Sequence, residues 1–337
     1  MQYEAVAFPN IGIGQIELDP VMWEIPGTDL SIRWYAVFIC IGIIVAVIAG
    51  NFLCKRFGIK RDDMLDCLLY TLPVGFIGAR LTYVLGDLDS FHSFMDVISI
   101  WNGGLAIYGG IIFSAISIFV ICKIKKMNIG ATVDLMAIGL LIGQIIGRIG
   151  NFVNIEVYGG TTDLPWAMAL VEHFGDDITV ATKFVHPLFL YEMLWNTVGL
   201  VLILGYMNYR KFNGEVFMWY IAWYSLGRGW MELLRDPEFT LRMPFFKDVY
   251  LMFVVAVLLF VAAVVTIIVL RRKSPGYVVV ATPEEEAEGN YERQFNITRE
   301  DIEAVELSDE ELEAKQLFEE MEKFENEDVE DEENAVD

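Results

Sequence analysis

The sequence is poor in the side chains that most catalytic and metal centres use. It has only three histidines and four cysteines in 337 residues. Cys40, Cys54, Cys67 and Cys122 all stand in apolar stretches with no CxxC spacing and no histidine at ligand distance in sequence, so they read as buried thiols rather than as metal ligands or a disulfide framework. No Ser/His/Asp or Cys/His constellation is present, which argues against covalent nucleophilic catalysis. A Ser-His pair, an aspartate dyad or HExxH inside an apolar run is absent too, which excludes the usual intramembrane proteases. No metal, cofactor or nucleic acid is expected. The first 33 residues carry Glu4, Glu17, Asp19, Glu24 and Asp29 where a cleaved signal peptide has a basic start and an apolar core, so the first apolar run is expected to act as an uncleaved signal anchor. There is no internal repeat and no matched pair of Gly/Pro-broken runs, which weighs against an inverted-repeat transporter.

What the chain has in abundance is apolar length. Apolar residues make up 55% of it, too greasy for an ordinary soluble domain of this size. The net charge of −23 is misleading, because residues 281–337 hold 24 of the 47 acidic residues but only 4 of the 24 basic ones. The remainder is close to neutral. Residues 34–54, 105–122 and 249–270 contain no charge and are each long enough to cross about 30 Å of hydrocarbon. Four further runs, 65–85, 131–152, 187–209 and 216–230, are nearly as apolar but carry isolated charges. The sequence therefore predicts an all-α polytopic membrane protein with about seven transmembrane helices.

Basic clusters follow alternate runs: Lys55, Arg56, Lys60 and Arg61; Lys123, Lys125 and Lys126; Arg210 and Lys211; Arg271, Arg272 and Lys273. The positive-inside rule makes these loops cytoplasmic, with the N-terminus outside and the C-terminus inside. Residues 1–33 are then an extracytoplasmic segment, 34–272 the seven-helix catalytic domain, and 273–337 an acidic, disordered cytoplasmic tail. Ser308 and Glu311 resemble a capping box, and Leu317, Met321 and Phe324 form one apolar stripe, so a helix docking an unknown cytoplasmic partner is the alternative for this tail. Gly139, Gly143 and Gly147 recur every fourth residue, the pattern of a close helix-packing face.

The charges inside the apolar runs point to function, since each costs roughly 3 kcal/mol or more to insert. Counted from the cytoplasmic ends, Arg80, Arg148 and Arg228 stand roughly 21 to 26 Å up their helices. His186, Glu192 and Tyr35 approach the same depth from the other side. Arg228, Glu232 and Arg235 share one helix face. Asn151, Asn154 and Glu156 follow Arg148 in a loop where Gly159 permits close backbone approach. Arginine holds phosphate through a planar, always charged fork, so several near one headgroup plane imply an anionic lipid ligand.

These residues carry a resemblance to the prolipoprotein diacylglyceryl transferase family. Residues 147–159, with Gly147, Arg148, Gly150, Asn151, Phe152, Asn154 and Glu156, are similar to its longest signature. Supporting matches follow in the family's order: Ile32-Arg33-Trp34-Tyr35, Gly78-Ala79-Arg80-Leu81, Trp101-Asn102-Gly103-Gly104, His186-Pro187 through Tyr191-Glu192, and Gly227-Arg228 through Glu232 to Arg235. Tyr108 stands where many members have a histidine, Phe189 where a glutamine is common, and Ile155 where a glycine is. The resemblance implies transfer of a diacylglyceryl group from phosphatidylglycerol to the lipobox cysteine thiol of a prolipoprotein, in a bacterial cytoplasmic membrane with the site toward the outer leaflet. It implies that Arg148 and Arg228 grip the phosphate, that Asn151, Asn154, Glu156, Gly159 and Glu232 line and position the headgroup, and that Tyr35 and Tyr108 serve near the reacting centre. Arg80 and Arg235 admit a structural role as readily as a binding one, and His186 a helix-initiating role as readily as proton transfer. The competing reading is an anionic-lipid transporter or flippase.

Overall fold

The computed structural model describes residues 3, 5–28, 30–88, 91–100, 103–174, 178–240, 250–274, 276–279 and 295–297. Asp29, Trp101, Asn102 and nearly all of the acidic tail, including the Ser308 to Phe324 segment, lie outside the described residues. Eight helices dominate: α1 (Trp34–Leu53), α2 (Arg61–Gly86), the short α3 (Phe94–Ile98), α4 (Ile107–Lys125), α5 (Ile129–Val153), α6 (Leu188–Tyr206), α7 (Glu215–Leu234) and α8 (Leu251–Lys273). All seven apolar runs are helical. Six of these helices, α1, α2, α4, α5, α6 and α8, are long and apolar enough to cross a membrane. Helix α7 has the length, 20 residues or about 30 Å, but Glu215, Arg228 and Glu232 interrupt its apolarity.

Small residues set the helix pairs. Gly75 and Gly78 of α2 face Ser114 and Phe113 of α4, where no side chain would fit beside them. On α5, Gly139 and Gly143 receive Ala46 and Gly42 of α1, so two of the three glycines in the stripe form the expected packing face. A Cβ added at Gly147 would meet nothing within 4 Å. Helices α6 and α7 are joined by aromatics. Trp195 and Trp223 stack at 4.4 Å, each indole donating to the other's backbone carbonyl, at 3.0 and 2.9 Å. Of the cysteines, Cys54, Cys67 and Cys122 are buried as expected, whereas Cys40 lies on the exposed face of α1. Helical periodicity alone does not say which face of so apolar a helix turns outward.

One end of the bundle carries a four-stranded antiparallel sheet that hydropathy alone does not announce. Strands β1 (Ala5–Phe8), β2 (Ile13–Glu17), β5 (Met168–Phe174) and β6 (Ile178–Val185) pair in the order β2-β1-β5-β6. A separate hairpin, β3 (Val21–Glu24) with β4 (Ser31–Arg33), leads into α1. Because β5 and β6 lie in the connection between α5 and α6, the sheet caps that end, and Val6, Leu170 and Val185 bury themselves against Ile155 and Tyr158. At the other end Asp134 accepts from the backbone amides of Gly214 and Phe217 at the start of α7, both at 2.8 Å. The carboxylate thereby satisfies two of the donors that open every helix. Glu215 there pairs with Arg271 at 3.2 Å, tying α7 to α8. Strands β7 (Tyr277–Val279) and β8 (Phe295–Ile297) pair nearby, and the Val278 amide donates to the Arg210 carbonyl at 2.9 Å.

Candidate functional site

Three helices build one ionic layer beneath the sheet. Arg148 near the end of α5 pairs with Glu192 in the first turns of α6. Glu192 takes Arg235, just past α7, on its other oxygen at 3.0 Å. Arg228 and Glu232, one turn apart on α7, pair at 2.7 Å, and Arg235 Nε reaches Glu232 at 3.5 Å. Glu192 and Glu232 are 4% and 0% exposed, so carboxylates that would be prohibitive alone are retained here by arginines. Three guanidinium groups here face two carboxylates, and Glu156 of the adjoining loop, linked to Arg148 through Asn151, brings the network to charge balance. The buried Nη1 of Arg228 has no hydrogen-bond acceptor.

The Arg148 loop continues the layer. Arg148 Nη1 donates to Asn151 Oδ1 at 3.0 Å, and both Asn151 and Asn154 donate to Glu156 Oε1, at 2.8 and 3.3 Å. Glu156 thus acts on Arg148 through an amide. Gly150 is a glycine because Tyr35 of α1 lies against it: a Cβ would stand 2.5 Å from the Tyr35 ring. Gly159 works similarly, with the Cβ position occupied by His186 and the Leu234 carbonyl. Its amide donates to the His186 carbonyl at 2.9 Å, and that of Gly160 to Leu234 at 2.8 Å. The loop after α5 is therefore sewn between the start of α6 and the end of α7. Lys183 of β6 adds a clamp, bonding Asp236 at 2.5 Å and resting over the Tyr158 ring. Burial raises the Asp236 pKa, but the Lys183 ammonium and the Glu238 amide outweigh it and hold the carboxyl below its ordinary value.

His186 stands before Pro187 at the opening of α6, with Nδ1 3.3 Å from the Tyr191 hydroxyl, which in turn accepts from Trp166 Nε1 at 2.6 Å. Burial lowers its pKa, so the imidazole is neutral near pH 7. Arg80 is elsewhere in purpose. Its guanidinium donates to the carbonyls of Val97, Gly103, Gly104 and Asp96 at 2.6–2.9 Å and lies over Tyr83 and Phe91, so all its polarity is spent on the segment between α2 and α4. Tyr108, at the start of α4, is exposed and bonds Met252 of α8 at 3.2 Å rather than any member of the ionic layer. The structure thus joins Arg148, Asn151, Asn154, Glu156, Arg228, Glu232 and Arg235 into one network, brings Tyr35, Gly159 and His186 against its loop, and leaves Arg80 and Tyr108 outside it. Glu192 is more central than sequence reading made it: it had stood only as one intramembrane charge, yet it bridges two arginines from different segments.

The fold and the layer together define a multi-pass membrane protein with a partly buried layer of paired arginines and carboxylates at one end of its helices. The sequence profile of prolipoprotein diacylglyceryl transferases matches residues 20–269, and the chain belongs to that family. It is 36% identical over 228 residues to the phosphatidylglycerol–prolipoprotein diacylglyceryl transferase of Lactobacillus delbrueckii subsp. bulgaricus, covering 66% of this chain and 82% of the relative. A similarly named enzyme of Finegoldia magna is 38% identical over 223 residues, covering 66% and 85%. One from Clostridium perfringens is 36% identical over 223 residues, covering 66% and 84%.

Proposed function

We propose that this protein transfers the diacylglyceryl group of phosphatidylglycerol to the lipobox cysteine thiol of prolipoproteins. The observation that carries the mechanism is the layer of three arginines at one depth, in which the buried Nη1 of Arg228 has no acceptor among the described residues. In the reaction the cysteine sulfur attacks the glyceryl carbon that bears the phosphate oxygen. A C–S bond forms, the C–O bond breaks, and glycerol phosphate departs with the bonding pair while the thiol proton is lost. Charge develops on the leaving phosphate, where Arg148 and Arg228 stabilise it. Glu192, Glu232 and Arg235 hold those two guanidinium groups, and Asn151, Asn154 and Glu156 fix the position of Arg148. The neutral imidazole of His186 is competent to take the thiol proton, with Tyr35 and Tyr108 lining the approach of the substrates. Arg80 shapes the segment leading to Tyr108. No enzyme nucleophile is needed.

The helices fit seven crossings, α7 being carried through the membrane by its paired charges, with the N-terminus outside. Alternate basic loops support that orientation. The sheet and ionic layer then face the outer leaflet of a bacterial cytoplasmic membrane, where exported prolipoproteins arrive. Residues 1–33 lie outside with the sheet, 34–272 form the catalytic bundle, and 273–337 form a cytoplasmic tail. The test is Arg148→Ala in membranes at unchanged enzyme level, with a lipobox peptide and phosphatidylglycerol. Loss of the diacylglyceryl adduct by mass spectrometry is expected, at least about 1,000-fold in rate. Full activity in this variant removes Arg148 from the phosphate site.

A further inference from the structure

One helical turn deeper than the arginine layer lies a second polar layer that the phosphate does not account for. Helices α5 and α7 rise toward the sheet and α6 descends from it. Gln144, Asn196 and Tyr224 therefore each stand one turn below Arg148, Glu192 and Arg228, about 6 Å deeper. Gln144 donates to Tyr220, whose ring stacks on Tyr224. Asn196 is different. It is 3% exposed and lines a cavity together with Glu192, Trp195, Tyr224, Gly227, Arg228 and Met231. That cavity admits the centre of about one water-sized group, roughly 10 Å³. Arg228, which lines the same cavity, has its buried Nη1 without an acceptor among the described residues, a cost that is higher at membrane depth.

We infer that this cavity is the subsite for a hydroxyl of the lipid's free glycerol headgroup, with Asn196 and Tyr224 as its specificity-determining residues. The inference rests on the proposed transfer from phosphatidylglycerol. With the phosphate at Arg228, the headgroup carbons extend one layer further, where an amide, a phenol and the vacant Nη1 of Arg228 offer both donors and acceptors to an alcohol. An ammonium headgroup would meet the guanidinium of Arg228 here, and the one carboxylate lining the cavity, Glu192, is already held by two arginines. The cavity also has no room for a bulky group. A neutral hydroxyl matches in size and in charge.

The experiment compares phosphatidylglycerol with phosphatidylpropanol, which keeps the phosphodiester and chain length but lacks both hydroxyls. Purified full-length enzyme is assayed with a lipobox peptide, and kcat/KM is measured for each donor. The wild type is expected to favour phosphatidylglycerol at least about 10-fold, and Asn196→Leu to bring that ratio close to one. Tyr224→Phe, which removes only the hydroxyl, is expected to lower the ratio part of the way. A wild type that uses both donors equally overturns the inference and leaves the cavity to an ordered water. An Asn196→Leu enzyme that slows equally on both donors overturns it as well, because a merely structural residue moves rates without moving their ratio. Should Asn196→Leu not fold, an unchanged ratio in Tyr224→Phe overturns the assignment. No adduct from either donor with folded wild type refutes the transferase reading itself and is thereby distinguished from a failure of the subsite.

Discussion

Glu192→Gln removes one charge from the centre of the ionic layer while keeping its shape. Glu192 is almost wholly buried and holds Arg148 on one oxygen and Arg235 on the other. The neutral amide leaves three guanidinium groups facing two carboxylates, Glu232 and Glu156, an excess of one positive charge where the wild type has none. Breaking a buried pair this way costs about 3–5 kcal/mol, because the surviving charges lose their compensation. An anion restores part of it. The substitution should therefore lower the thermal midpoint of the ligand-free protein in detergent by many degrees. Saturating phosphatidylglycerol should recover more stability in the variant than in the wild type. Catalysis should follow binding: the donor KM falls while kcat holds, since the extra charge favours the bound phosphodiester as much as the departing phosphate. Thermal scans with and without donor, alongside lipidation kinetics, read all three. A variant within about 0.5 kcal/mol of wild type without donor would show that Glu192 does not compensate Arg148 and Arg235, and the reasoning for the layer would fall.

Two further outcomes follow from contacts outside the layer. Arg80→Ala strips the acceptors at Val97, Gly103, Gly104 and Asp96 of their donor and should cost about 2–4 kcal/mol, seen as faster proteolysis between α2 and α4, with the donor KM unchanged. Asp236, whose pKa is held below its ordinary value with Lys183 beside it, contributes stability that is present above the unfolded pKa of about 4 and is lost as pH falls through the lower folded value. Asp236→Asn should thus be less stable than wild type at pH 7 and indistinguishable from it at the acid end. Parallel stability curves for the two proteins would contradict this.

Much of the bundle was legible because the bilayer requires long uncharged helices, and uncharged runs in sequence have few other uses. Charges within those runs were legible for the same reason, so Arg148, Arg228 and Glu232 stood out before any fold was known. The sheet was not. Its strands are short, two of them lie more than 150 residues from the other two, and period-two alternation over four to eight residues is faint beside a 20-residue apolar helix. The stretch Met168–Phe174 followed by Ile178–Val185, rich in β-branched residues around Gly175 and two aspartates, was the available hairpin signal. Arg80 illustrates a different limit. Its depth equals that of Arg148, and depth does not reveal whether a guanidinium meets a ligand or four carbonyls of its own chain. Asn196 was hidden too, because one amide in an apolar helix becomes informative only when the cavity it lines is seen.

The Trp195–Trp223 pair bears on how α6 and α7 are allowed to move. Each indole grips the opposite backbone, so sliding either helix along its axis by a single residue breaks both bonds together. The pair works as a pawl between two racks. Glu192 lies three residues from one tooth and Arg228 five from the other, so their relative height is fixed by the aromatic pair rather than by the charges themselves. The ionic groups are thereby relieved of holding the helices in register, and their composition is free to follow the ligand.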